Sequence, residues 1–259
     1  MLKHPFIWKI CLLALAILLA IKLWIQPEIS LFIVLTPLFI YLGLAAWGSM
    51  LVNSNFYSPV LWKATVKNKT VALTFDDGPS PEGTLEILEI LDNFSIKAAF
   101  FCIGKHVDLY PEILKKIDEQ GHLIGNHSYS HHPVFDLFPT RKVQADLILA
   151  NESIEKVIGK KTLLFRPPYG VTNPMLSSAL QKLKLISIGW SIRSLDTVFS
   201  DKDKLFKRVT RNVKPGDIFL FHDKCKVTVQ ILPALIEYLI AEGYVIERVD
   251  KLLNIPAYA

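Results

Sequence analysis

From Ile29 to Val52 the chain reads ISLFIVLTPLFIYLGLAAWGSMLV, without one charged side chain. About 20 apolar residues suffice to cross a bilayer, so this run is long enough to be a membrane span. Phe6 to Ile25 is nearly as apolar, broken only by Lys9 and Lys22 near its ends. Lysines at such positions can extend their stems and keep the ammonium among the headgroups. The two runs predict a pair of transmembrane helices joined by a tight turn at Gln26, Pro27 and Glu28, and Pro37 is tolerable inside a membrane helix. The first run has a second reading, a secretory signal with Lys3 and Lys9 as its basic start, but no clear small-residue cleavage site follows. A buried soluble hairpin would carry a polar face, and neither run has one.

The net charge of +5 sits beside these runs. Residues 1–52 sum to +2, residues 53–69 to +3 through Lys63, Lys67 and Lys69, and residues 70–259 to zero. Nucleic-acid binding needs a basic face on the folded domain, so the excess reads instead as a membrane-proximal feature, and no nucleic-acid partner is expected. Lysines beside a span favour the cytoplasmic side, which conflicts with the extracytoplasmic placement argued below. Of the three cysteines, Cys11 lies in the first apolar run, and Cys102 and Cys225 read as buried free thiols.

After a polar connection the character changes. Strand-like and helix-like segments alternate from Thr70 onward. VALTF, KAAFFCI, HLIGN, LLFRP, LISIGWSI, DIFLFH and YVIERV read as seven strands. Helices are predicted after Thr84 as N-cap, after Pro111 up to Gly121, over 140–158, after Asn173–Pro174, over 201–212 and over 227–242. Such alternation builds a parallel sheet with helices outside, either open or curled into a small barrel. In both, function collects at the C-terminal ends of the strands. Asp76–Asp77, His127–His131, Arg166, Arg193–Asp196 and His222 all fall at such ends.

His127-Ser-Tyr-Ser-His131 holds two histidines four apart, a spacing that lets them face one way on a helical turn and share a metal. A zinc protease would have Glu after the first histidine; Ser128 stands there, so a base must come from elsewhere. By itself the string also fits two surface histidines in a polar loop. Thr74-Phe75-Asp76-Asp77-Gly78-Pro79 supplies two carboxylates whose side chains should diverge and so do different work. An isolated Asp-Asp-Gly is usually only a turn. Beside the histidines, one acid can complete a His₂Asp set with an open position while the other takes a proton from water. In Arg166-Pro-Pro-Tyr169-Gly170 the prolines fix the backbone, the Tyr169 N–H is free to meet an oxyanion, and Arg166 can grip a carboxylate. A rigid strand exit explains that string equally well. His222 in Leu220-Phe-His222 ends a strand and suits a general acid, or a structural role.

Together the strings TFDDGP, HSYSH, RPPYG and LFH stand in the order of the first, second, third and fifth motifs of a known family. The chain resembles the polysaccharide deacetylases of carbohydrate esterase family 4, the NodB homology domain, over residues 68–250. That resemblance implies a distorted (β/α)7 barrel of the NodB type, here preceded by the two transmembrane helices. It implies Asp76 as catalytic base. It gives Asp77, His127 and His131 as ligands of a divalent metal, commonly Zn²⁺, with Co²⁺ or Ni²⁺ as alternatives. Arg166 positions the base, the Tyr169 N–H helps hold the oxyanion, Leu220 shapes the acetyl pocket, and His222 protonates the leaving amine. The fourth motif departs from the family: Arg193 and Thr197 replace an acid and a tryptophan, and only Asp196 remains, as partner for His222. The expected organisation is a two-helix anchor (1–52), a basic linker (53–69), the deacetylase domain (70–250) and a tail (251–259). The implied substrate is an N-acetylated polysaccharide such as cell-wall glycan, which puts the domain outside the cytoplasm. The open alternatives are a small amide or O-acetyl xylan as substrate, and an inactive glycan-binding domain.

Overall fold

A computed structural model describes residues 3–259. Helices α1 (His4–Trp24) and α2 (Leu31–Met50) form an antiparallel hairpin, each long and apolar enough to cross a membrane. Their turn is held by the Lys22 ammonium, which donates to the carbonyls of Pro27 and Ile29. Ser30 caps α2 by accepting from the Phe32 N–H. Leu13, Leu23, Phe32, Phe39 and most of their neighbours point outward, so the hairpin is not a core element of the domain.

Eight strands follow among the described residues: β1 (Thr70–Asp76), β2 (Ala99–Cys102), β3 (Leu123–Asn126), β4 (Leu164–Phe165), β5 (Ile186–Ser187), β6 (Ile192–Arg193), β7 (Ile218–His222) and β8 (Val245–Ile246). All pair in parallel, in the order β5-β4-β3-β2-β1-β7-β6, with β8 beside the start of β1. The intervening helices are α3 (Thr84–Asn93), α4 (Gly104–Leu109), α5 (Pro111–Glu119), α6 (Thr140–Ile158), α7 (Pro174–Leu183), α8 (Lys202–Thr210), α9 (Lys226–Ala241) and α10 (Val249–Leu253). The sheet is curled and helix-clad, as the NodB type implies.

Alternation along β1 sorts its residues. Val71, Leu73 and Phe75 join the outer core with Leu88, Leu235 and the stacked rings of Phe100 and Phe221. Ala72 joins the inner core with Phe101, Ile188 and Ile218, where Val249, Leu252 and Ala257 also pack. The two-residue period puts Thr74 and Asp76 on this inner side, so the acid ending the strand faces the barrel interior.

Three local expectations are corrected. LISIGWSI is not one strand but two, β5 and β6, which lie on opposite edges of the sheet and are joined by Ile188–Ser191. The break comes where backbone groups turn to other partners: the Gly189 N–H donates to Leu61 O (2.8 Å), and the carbonyls of Ile188 and Gly189 accept from the Arg166 guanidinium. This segment is thus the seam of the barrel. Thr84 is not the cap of α3 but its first residue; its hydroxyl donates to Asp223 and accepts the Ser80 N–H, so it is not free to cap. The His127–His131 string is not helical, as described below. The segment read as a linker runs along the body: the Leu61 N–H donates to Ser187 O (2.9 Å), the Ala64 N–H to Gly216 O (2.9 Å), and Lys63 pairs with Asp217 at 2.7 Å.

Candidate active site

Asp77, His127 and His131 converge beyond the C-terminal ends of β1 and β3. Asp77 Oδ1 lies 3.5 Å from the Nε2 atoms of both histidines. Two loops, after β1 and after β3, achieve this with residues in the left-handed region: Asp77 (φ 76°), Ser128 (φ 64°) and His131 (φ 42°). Such backbone is uncommon outside glycine and costs about 1–3 kcal/mol per residue unless the surroundings hold it. Here they do. Asn126 Oδ1 accepts the Ser128 N–H (2.8 Å), Ser128 Oγ accepts the His131 N–H (3.0 Å), and Asp146 accepts the Tyr129 N–H (2.7 Å).

His127 Nδ1 faces the Arg166 carbonyl at 2.9 Å, so it must be the protonated nitrogen. Its Nε2 then faces the Asp77 carboxylate. A divalent cation held between these atoms would meet both. Burial, with the charge of His127 second, lowers the His131 pKa to about 4, which favours the neutral imidazole a metal needs. Burial would raise the Asp77 carboxyl, but the His127 ring beside it, and Lys224 after it, hold it well below the usual carboxylate range. Two imidazoles and one ionised carboxylate fit a divalent cation.

Asp76 turns the other way. Its Oδ1 accepts from Arg166 Nη1 (2.8 Å), while its Oδ2 stands 3.9 Å from His127 Nε2. Arg166 is fully buried, its guanidinium carbon 4.1 Å from the Phe101 ring centroid. Besides Asp76 it donates to Thr74 Oγ1 (2.6 Å), Gly189 O (2.9 Å) and Ile188 O (3.3 Å). A buried cation with this many partners cannot follow the carboxylate about; it fixes the carboxylate's place.

His222, the last residue of β7, forms a second cluster. Its Nδ1 lies 2.7 Å from Asp196 Oδ1, and its N–H donates to Asp196 Oδ2 (2.7 Å), which also accepts from Thr228 Oγ1 (2.6 Å). Burial lowers the His222 pKa, but the hydrogen bond and charge of Asp196 more than offset this, so the net shift is upward. Leu220 is buried two residues earlier on the same strand. Tyr169 has φ 59° and is about half exposed, its hydroxyl donating to His131 O at 3.2 Å. Arg193 is exposed at the end of β6, about 5.8 Å from the Trp190 ring, and Thr197 is also exposed.

Three neighbours escaped the sequence reading. Lys224 Nζ lies 2.8 Å from Asp77 Oδ2. His106 Nδ1 lies 2.7 Å from the Asp77 carbonyl. Asp223 is buried behind both acids, its pKa raised to about 7 by burial, and its carboxyl packs on Gly78, where a Cβ would collide with it. The string His222-Asp-Lys224 was the available signal, since charged residues directly after a strand-end histidine share its rim.

Comparison with known proteins adds a lineage. The family model for polysaccharide deacetylase matches residues 63–187. The chain is 30% identical to the peptidoglycan-N-acetylmuramic acid deacetylase PdaA of Bacillus subtilis, over 72% of each chain. It is 33% identical to the peptidoglycan-N-acetylmuramic acid deacetylase PdaC of the same species, over 71% of this chain but only 38% of that longer one. Among solved structures it resembles the Bc1960 peptidoglycan N-acetylglucosamine deacetylase, with a TM-score of 0.73 and 28% identity over 77% of this chain and 95% of that one. It also resembles BA3943 of Bacillus anthracis, described as a pseudoenzyme of carbohydrate esterase family 4, with a TM-score of 0.71 and 28% identity over 75% and 69% of the two chains.

Proposed function

The chain belongs to the polysaccharide deacetylase family of hydrolases, and we propose from that premise that it removes N-acetyl groups from cell-wall glycan. The observation that carries this reading is the pairing of an open His₂Asp cluster with a buried acid, Asp76, aimed at the same space. A divalent cation held by Asp77, His127 and His131, with zinc the best match to two imidazoles and a carboxylate, would polarise the acetyl carbonyl and acidify water beside it. Asp76 takes the proton from that water, and Arg166 keeps the carboxylate in place. The water oxygen bonds to the acetyl carbon, and the Tyr169 N–H steadies the oxyanion. His222, whose protonated form Asp196 favours, gives its proton to the nitrogen as the C–N bond breaks. Acetate and a free amino sugar leave. Leu220 lines the pocket for the methyl group.

We assign α1 and α2 to the membrane and residues 70–250 to an extracytoplasmic catalytic body, because polymeric wall glycan lies outside the cytoplasm. A reporter fused after Ala259 tests the side: an extracellular signal is expected, and a cytoplasmic one overturns the wall substrate. Purified full-length protein should hold close to one equivalent of metal and release amine from N-acetylated glycans. Loss of neither on Asp77→Ala would sink the assignment. A protein with no bound metal and no turnover would place it with the pseudoenzymes.

A further inference from the structure

The join between the hairpin and the catalytic body has no slack. Thr172 Oγ1 donates to Gly48 O (3.1 Å), and the Thr172 N–H donates to Ser49 O (3.2 Å), both in the last turn of α2. Tyr57 Oη donates to Ala45 O (3.1 Å), while Tyr57 O accepts from Ser177 Oγ on α7 (2.9 Å). Phe56 is buried with its ring against Gly48, so closely that a side chain at 48 would collide with it. The next anchor points are Leu61, Lys63 and Ala64, already tied to the barrel.

Thr172 belongs to the rim of the site. It stands three residues after Tyr169, a distance that extended chain spans in at most about 11 Å. Tyr169 in turn touches His131. His4, Tyr41, Trp47, Phe56 and Tyr57 gather at this end of the hairpin, with His4 Nε2 at 3.1 Å from Tyr41 Oη and ring centroids 4.9 Å apart for His4 and Tyr57. Aromatic residues of this kind mark the headgroup level of a membrane helix. Beside them on the rim, Asn173 Nδ2 donates to Asp136 O (2.7 Å), tying down a loop that exposes Val134 (45%) and Leu137 (77%). Scattered apolar side chains are ordinary on a surface. These two lie next to the point where a membrane helix meets the active-site rim.

Resting on the reading of the chain as a membrane-anchored deacetylase of cell-wall glycan, we propose that the glycan it meets is the newly made saccharide still carried on a membrane lipid at the outer face, not a strand deep in the wall. A site bonded to the end of its own membrane helix stays within a short distance of the bilayer. It cannot follow glycan outward. It meets sugars held at the headgroup level, with Val134 and Leu137 resting on the lipid surface.

The test uses full-length protein in vesicles, with the outward orientation of the body established by protease accessibility. Three probes are compared: N-acetylglucosamine joined through diphosphate to a polyprenol in the same vesicles, water-soluble N-acetylglucosamine oligomers, and insoluble peptidoglycan added outside. The lipid-borne probe should be deacetylated about tenfold faster or more at equal amounts, since sharing a surface raises effective concentration. Val134→Glu with Leu137→Glu should erase most of that advantage and leave the rate on soluble oligomers unchanged, which also reports an intact fold. A flexible insert of about 20 Gly/Ser residues after Leu51, with Gly48→Leu to undock Phe56, adds about 25 Å of reach and should raise the rate on insoluble peptidoglycan relative to the lipid probe. Equal rates of the unaltered protein on lipid-borne sugar and insoluble peptidoglycan would overturn the proposal while leaving the deacetylase reading intact. Failure on all three probes would instead overturn the deacetylase reading itself.

Discussion

The two ends of the site are built in opposite ways. Around Asp77, His127 and His131 the backbone enters the left-handed region at three non-glycine residues, and the donor atoms stand 3.5 Å apart without bonding one another. Around His222 and Asp196 a strand end meets a carboxylate whose three hydrogen bonds run from 2.6 to 2.7 Å. The first end gathers three ligand atoms suited to a cation. The second is complete as it stands. Removing a residue from the first should therefore cost a bound ion, and removing one from the second should cost only proton management.

The largest effect is expected at the first end. His127→Ala or Asp77→Ala should abolish bound metal, read by elemental analysis, and lower kcat/KM by about 10³-fold or more, because several kcal/mol of transition-state stabilisation go with the ion. Asp76→Asn probes the point between the two ends. It should keep the metal and lose about 10²–10⁴-fold in kcat, the usual worth of a positioned base. A drop in metal content with Asp76→Asn would erase the division of labour between the adjacent aspartates. At the second end, Asp196→Asn should retain metal and shift the pH profile. Asp196 raises the His222 pKa, which extends the protonated acid to higher pH, and activity is lost as pH rises through that pKa. Without the Asp196 charge the pKa falls, so the alkaline limb of kcat should move to lower pH. An unmoved limb would show that His222 is not the titrating acid. Thr228→Val, which removes one of three donors to Asp196, should be mildest: about 1–2 kcal/mol of stability by thermal unfolding, with metal content unchanged.

How far these features were legible follows from the range of the interactions involved. The strand ends were readable because parallel strands buried on both faces are continuous apolar runs, and the motifs sit directly after them. Asn173 was readable as the cap of α7 because its partner, the Leu176 N–H, is three residues away. The seam at Gly189 was not, because the groups that interrupt the strand, Leu61 and Arg166, are distant in sequence. The histidine loop was read as a helical turn because a four-residue spacing suggests one; Asn126 and Asp146 hold it in a different shape. Short α4 went unpredicted between β2 and α5. The charge sum misled in another way. Residues 70–259 are neutral overall, yet Arg193, Lys204, Lys207, Arg208, Arg211 and Lys214 line one cleft along the β6 edge, joined there by Lys63. A sum over sequence says nothing about which side chains share a wall.

Arg166 fastens the seam of the barrel through Ile188 and Gly189 with the same guanidinium that grips Asp76. The molecule thereby carries its own quality control. A chain that has not yet closed its sheet has no fixed base, so incompletely assembled copies are silent hydrolases, not careless ones. Any substitution that loosens the seam should register first as lost turnover, well before the protein melts.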